Sequence, residues 1–90
     1  VPFLLDVREP AEVAICSIER SHHVPMDEVP SRLMELDAHA EEEVVVYCHH
    51  GIRSASVQQF LNQHGFENVR NLAGGIDAYA TEADISVKRY

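Results

Sequence analysis

Residues 44–54 read VVVYCHHGIRS, and the fold turns on this stretch. Val44, Val45, Val46 and Tyr47 are consecutive β-formers without polar alternation, the pattern of a central parallel strand covered on both faces. The run ends at Cys48, and His49, His50, Gly51, Ile52, Arg53 and Ser54 turn the chain toward an amphipathic segment. A cysteine at the end of a buried strand is, by itself, a small core hydrophobe. A glycine, an arginine and a helix start directly after it argue for chemistry.

Downstream, Val57, Phe60, Leu61 and His64 recur at helical spacing, which predicts a helix over residues 54–64 with Gly65 as its left-handed cap. Residues 66–72 predict a short strand around Val69. Gly74 and Gly75 then make a turn into a helix through Ile76 and Tyr79. Upstream, FLLDV at residues 3–7 reads as a buried strand closed by Arg8, Glu9 and Pro10, followed by a short helix over residues 9–15. SHHVP at residues 21–25 is a brief extended segment stopped by proline. Val29, Leu33 and Leu36 predict a helix from Asp27, with Pro30 tolerable only in its first turn. Residues 40–43, AEEE, form a solvated loop, and residues 81–90 have weak periodicity, so that the tail wraps the surface or frays. Strands alternating with helices predict an α/β fold with a mainly parallel sheet.

Ninety residues without an internal repeat or a Gly/Ser/Pro-rich linker make one domain, residues 1–90. The chain lacks a starting Met and opens on VPFLLDV, nearly inside a strand, as expected of a trimmed form or a piece excised from something longer. Apolar residues are 46% and charged residues 24%, with no apolar run near the ~20 residues a membrane span needs. A soluble globular chain without a membrane partner is expected. Acidic residues outnumber basic ones 15 to 7, for a net charge of −8, and such a field repels a phosphate backbone. Arg53 lies in the loop while Lys88 and Arg89 close the chain, so no basic stripe forms and nucleic acid is not an expected partner. Two cysteines are too few for a disulfide framework, and no signal peptide precedes Val1. A reducing cytoplasm is the expected compartment.

In an open α/β sheet, ligands bind at the carboxyl ends of the strands, where the next helices present their amino ends. That places Cys48 in the crevice. Gly51 lets the backbone bend so that successive N–H groups point to a common centre. The helix amino end adds roughly half a positive charge, and Arg53 adds a further positive group. Such surroundings lower a thiol below its usual ~8.5 and make it a nucleophile near neutral pH. Cysteine phosphatases space Cys and Arg by five residues; here four intervene, His49, His50, Gly51 and Ile52. The tighter ring favours a terminal sulfur over a tetrahedral phosphate.

DVREPAE (residues 6–12), HVPMDEVPSRLMEL (23–36), VVVYCHHGIRSA (44–55) and GFENVRNLAGGIDAY (65–79) together resemble a single-domain rhodanese, a sulfurtransferase. The resemblance covers nearly the whole chain in order and spacing. Its most specific piece is the C-x-x-G-x-R-S loop after an apolar strand. It implies a small three-layer, doubly wound domain with the sheet between helices and Cys48 as catalytic nucleophile. Residues His49, His50, Gly51, Ile52, Arg53 and Ser54 would cradle the persulfide. A donor such as thiosulfate would load sulfane sulfur on Cys48, and a thiol or cyanide acceptor would remove it, with no cofactor. An alternative is a non-catalytic sulfur-relay or interaction module taking sulfur from a persulfide-donating protein or passing it to a sulfur-carrier protein. The tail DISVKRY (84–90) resembles the end of rhodanese modules fused behind an adenylating enzyme that activates such a carrier. Arg20 and Ser21 stand where the family usually has Gly-Ala, and Tyr79 where Trp is common; a strand and helix usual before the Asp-Val-Arg segment are largely missing.

Asp6 and Arg8 lie past a strand end facing the same crevice, so they are expected to help position Arg53 or a donor, with a plain surface ion pair as the alternative. His22, His23, His49, His50 and Cys48 lack the paired spacing of a zinc site, and no metal is expected. His49 and His50 tune loop polarity, rim the entrance or are simply solvated. Cys16, within the apolar AICSI, is core packing unless it approaches Cys48. Gly74 and Gly75 form a turn that can border the crevice.

Overall fold

The computed structural model describes residues 3–18, 20–72 and 75–76. Its strands are β1 (Phe3–Asp6), β2 (His22–His23), β3 (Val44–Tyr47) and β4 (Val69–Asn71), and its helices α1 (Pro10–Val13), α2 (Leu33–Asp37) and α3 (Ile52–Asn62). The strands form one sheet in the order β2-β1-β3-β4, every pairing parallel. This is the expected α/β architecture.

Strand alternation sorts the core into two faces. Leu5 and Val7 after β1, with Val44, Val46 and Cys48, point to one side. There they pack with Leu36 of α2 and Val57 and Leu61 of α3. Tyr47 points to the other side and packs with Ile18 and Ile76, with Leu4 and Cys16 partly buried beside them. Both faces are covered, which explains why the sequence around Val44 is apolar without alternation. Each fully buried Leu or Val side chain contributes about 1.5–3 kcal/mol of hydrophobic stabilisation.

The winding positions the site. From β1 the chain steps outward to β2, then crosses back over β1 to β3 and continues to β4 at the opposite edge. The direction of winding thus reverses between β1 and β3, which leaves a crevice beyond their carboxyl ends. Asp6 lies opposite Tyr47 in the register, and the Val7 N–H donates to the Tyr47 carbonyl at 3.1 Å. Residues 6–8 and 48–51 therefore share that crevice.

Local differences from expectation have local causes. The helix expected from Asp27 is split: Met26–Glu28 is a 3₁₀ turn and α2 begins only at Leu33. Pro30 has no N–H to continue an α-helical ladder. Val29 and Leu36 are nonetheless buried. The helix expected over residues 54–64 starts earlier, at Ile52, because Gly51 caps it with φ 101°. It ends at Asn62, and the chain turns at Gly65 with φ 91°. The helix expected over residues 9–15 shortens to Pro10–Val13, opened by a capping box between Glu9 and Glu12. The extended segment at 21–25 contributes only the two-residue edge strand β2, and that at 66–72 only β4. Gly74, the continuation through Tyr79 and the tail at 81–90 lie outside the described residues. Among the described residues, no helix is long and apolar enough to cross a membrane.

Candidate active site

Cys48 follows β3 directly and is 1% exposed. Its sulfur accepts the Gly51 N–H at 3.0 Å and the Ser54 N–H at 3.4 Å, and the Ser54 hydroxyl lies 3.4 Å away. Gly51 achieves this because its positive φ folds the loop back over the sulfur, a conformation that a side chain would strain. Burial alone pushes the Cys48 thiol up. Hydrogen bonds from the Ser54 hydroxyl and N–H, then from the Gly51 and His50 N–H groups, outweigh burial and leave the thiol below its ordinary value. The amino end of the eleven-residue α3 lies beside the same atom and favours negative charge there.

Ser54 is fully buried and donates its hydroxyl proton to Asn71 Oδ1 at 2.5 Å. Asn71 Nδ2 in turn donates to the Gly51 carbonyl at 2.9 Å. The loop is also held from behind: the Ile76 N–H donates to the Cys48 carbonyl at 2.8 Å. Gly75, at φ +63°, lies so close that a Cβ there would sit 2.4 Å from the carbonyl oxygens of both Cys48 and His49. Gly75 thus borders the Cys48 loop. His49 and His50 stack with ring centroids 4.0 Å apart, and Ile52 is 80% exposed at the loop's outer rim.

Arg53 forms a two-pronged ion pair with Glu12, at 2.5 and 2.8 Å. Its guanidinium ties α1 to α3, and the hydrogen bonds to the sulfur account for the lowered thiol. The Asp6 carboxylate, expected to help position Arg53 or a donor, is held by Arg8, while Arg53 is held by Glu12. Oδ1 accepts the Arg8 N–H and Nε–H, each at 3.0 Å, and Oδ2 accepts Nη2–H at 2.7 Å. Asp6 and Arg8 are both 0% exposed, so theirs is a buried pair rather than a surface one. Arg8 also donates to the Cys16 carbonyl at 2.7 Å and the Glu12 carbonyl at 3.4 Å. Arg8 thus ties the end of β1 to α1, the element that carries Glu12.

Among the described residues, no group of three or more His, Cys, Asp or Glu side chains could hold a metal ion. His22 pairs with Glu35, while His23 Nε2 meets the Arg8 carbonyl at 2.7 Å. Glu12 and Asn71 are the contributors that sequence reasoning did not single out. Asn71 was accessible in principle: it is a polar residue at the carboxyl end of the strand next to β3, the edge of the sheet where ligands bind. The Arg20–Ser21 departure also has a structural expression. Arg20 adopts the left-handed φ of 69°, and Ser21 Oγ donates to the Ile18 carbonyl while lying 2.6 Å from the Tyr47 hydroxyl. Burial pushes the Tyr47 phenol up to about 12.

A parallel sheet with a thiol held among backbone amides at its winding reversal defines a cysteine-bearing α/β domain. The chain belongs to the rhodanese-like domain family, which its residues 1–82 match. It is 40% identical over 77 residues to a sulfurtransferase of Allochromatium vinosum, a stretch covering 86% of this chain and 70% of that protein. The crystal structure of a rhodanese-related protein from Thermoplasma volcanium superposes with a TM-score of 0.82 at 36% identity, covering 90% of this chain and 78% of that one. The adenylyltransferase and sulfurtransferase MOCS3-2 of Zea mays is 34% identical over 86 residues, which span 90% of this chain but 18% of that protein.

Proposed function

We propose that Cys48 carries sulfane sulfur from a small donor such as thiosulfate to cyanide or a thiol. The Cys48 thiolate attacks the outer sulfur of thiosulfate; a new S–S bond forms, the S–S bond of the donor breaks, and sulfite leaves with the electron pair. The product is the Cys48 persulfide anion. Cyanide then attacks the terminal sulfur, thiocyanate departs, and the electron pair returns to Cys48 as thiolate. This is two-step covalent catalysis with no external oxidant.

The observation that carries the reading is the convergence of the Gly51 and Ser54 N–H groups on one sulfur, with the Ser54 hydroxyl 3.4 Å from it. Such fixed dipoles stabilise a thiolate before attack and favour a negative terminal sulfur after it. His50, Ile52 and Arg53 complete the rim, and the cytoplasm supplies reduced thiols as acceptors. A phosphatase reading is disfavoured by the four-residue Cys-to-Arg spacing and by the engagement of Arg53 with Glu12.

A relay module is the second reading. A stretch like this chain forms a small part of the maize protein named for both adenylyl and sulfur transfer, and the exposed Ile52 offers an apolar contact beside the loop. In that case the donor is a persulfide-bearing protein, or the acceptor a sulfur-carrier protein. Turnover of thiosulfate with cyanide by wild type and Cys48→Ala, with intact mass taken after thiosulfate alone, separates these readings. Turnover and one added sulfur, both lost in the variant, support the enzyme. Added sulfur without turnover supports the relay, and neither, with hydrolysis of an aryl phosphate, overturns both.

A further inference from the structure

Amides can surround a sulfur only if the carbonyls of the same peptides face elsewhere. In a trans peptide the C=O of one residue and the N–H of the next point in opposite directions. Turning a carbonyl outward therefore turns the following N–H inward, and whatever meets a carbonyl also orients the N–H after it.

In this chain the carbonyls of Cys48, His49 and Gly51 are met by Asn71, Gly75 and Ile76. The Ile76 N–H takes the Cys48 carbonyl at 2.8 Å. Gly75 presses its Cα against the Cys48 and His49 carbonyls, with space for nothing larger than hydrogen. Asn71 Nδ2 takes the Gly51 carbonyl at 2.9 Å, while Asn71 Oδ1 receives the Ser54 hydroxyl. With the His49 carbonyl against Gly75, the His50 N–H turns inward, and it is among the groups that stabilise the Cys48 thiolate. Beside Asn71, the chain is anchored to the sheet by the Leu72 N–H on the Val46 carbonyl at 3.0 Å.

We propose that Asn71 and Gly75 are positioning residues for sulfur transfer: Gly75 holds the His49 carbonyl outward and so turns the His50 N–H inward, while Asn71 braces the start of α3 at the Gly51 carbonyl and holds the Ser54 hydroxyl beside the sulfur. The inference rests on Cys48 being the sulfur-carrying group. Neither residue touches the reacting sulfur. Asn71 additionally keeps the Ser54 hydroxyl in place 3.4 Å from the sulfur, its proton given to Oδ1 while the thiol is neutral. When the thiol ionises, the same hydroxyl can rotate its proton onto the sulfur.

Gly65 provides an internal control. It too has a positive φ, +91°, but a Cβ there would meet nothing within 4 Å. Gly65→Ala therefore imposes the left-handed backbone cost without a collision, whereas Gly75→Ala imposes both. The measurement is the pH dependence of Cys48 alkylation by iodoacetamide, in a Cys16→Ala background, for the parent, Gly65→Ala, Gly75→Ala and Asn71→Ala, each checked for a cooperative melting transition. This readout needs no sulfur donor, so it stands even where thiosulfate turnover is absent.

Gly75→Ala and Asn71→Ala are expected to move the alkylation limb to higher pH and slow alkylation at pH 7 roughly tenfold, the loss of about one directed hydrogen bond to the thiolate. Gly65→Ala is expected to melt earlier with the limb unmoved. If Gly75→Ala does not fold, Asn71→Ala decides, since it removes only side-chain hydrogen bonds. A folded Asn71→Ala with the parent's alkylation profile overturns the brace. A shifted profile in a protein that transfers no sulfur from any donor keeps the brace and overturns the proposed function instead.

Discussion

The two cysteines of the chain occupy opposite faces of the sheet and differ in what meets their sulfur. Cys16 lies beside the buried Arg8, with a guanidinium nitrogen 3.9 Å from Sγ. Cys48 sits in a loop of backbone amides and a buried hydroxyl, with the nearest N–H at 3.0 Å. A nearby full charge looks like the stronger activator, yet the Arg8 charge is already committed to Asp6 at 2.7 Å and to the carbonyls of Cys16 and Glu12. The Gly51 and Ser54 amides beside Cys48 point at its sulfur. Directed partial charges, fixed in place by the fold, hold the Cys48 thiol below its ordinary value.

The contrast is broken most severely by exchanging the two roles. Cys48→Ala is expected to remove thiosulfate-to-cyanide transfer entirely, a loss of at least about 10³-fold, while Cys16→Ala keeps it within about twofold. Equal losses in steady-state assays would mean that Cys16 shares in the chemistry. Next in size is the cation beside Cys16. Arg8→Ala leaves Asp6 buried without its partner, and the expected cost is about 3–5 kcal/mol in urea unfolding. Adding Asp6→Asn should recover part of it. The Glu12–Arg53 pair is 20–31% exposed, so Arg53→Ala should cost only about 1 kcal/mol; comparable losses for Arg8 and Arg53 would show that burial is not what separates the pairs.

A smaller effect tests the dipoles themselves. Because the folded thiol is held below its ordinary value, transfer by the parent should rise with pH and level off before the ~8.5 of a free cysteine. Ser54→Ala removes one stabilising donor, so the limb should shift upward and the rate at pH 7 should fall by roughly tenfold. An unchanged pH profile would assign the lowering to the backbone amides of Ser54, Gly51 and His50. The same shift has a stability consequence. A depressed thiol adds stability as pH rises past its folded value, reaching the full amount above its unfolded value, and Ser54→Ala should flatten that rise. Smallest is Arg20→Gly, which relieves the φ of 69° and should raise stability by about 0.5–1 kcal/mol without altering the alkylation of either cysteine.

Much of this was legible from residues alone, for identifiable reasons. The unalternating Val44–Tyr47 run marks a strand covered on both faces, and the glycine and helix start after Cys48 mark its loop, because these are local patterns with local causes. The amphipathic spacing of Val57 and Leu61 located α3 for the same reason. What escaped was pairwise and distant. Asp6 and Arg53 are plausible partners from position, but Glu12 reaches Arg53 across 41 residues and Arg8 claims Asp6 from two residues away. Asn71 acts across 17 residues on Ser54, and nothing in the sequence around Asn71 announces that contact. The Arg20–Ser21 departure was visible as an unusual pair, whereas its backbone conformation and the Ser21–Tyr47 contact required three dimensions.

The alternation along β3 also determines how this protein can change over evolutionary time. Val44, Val46 and Cys48 share one face and Tyr47 the other. A side-chain exchange within the strand alters packing by increments and leaves the thiol where it is. Insertion or deletion of a single residue reverses the parity of everything after it, placing Cys48 on the Tyr47 side and a bulky phenol in the crevice. The strand can therefore drift in composition while its length stays locked, and relatives that retain the thiol's function are expected to vary in the identity of residues 44–47 but not in their number.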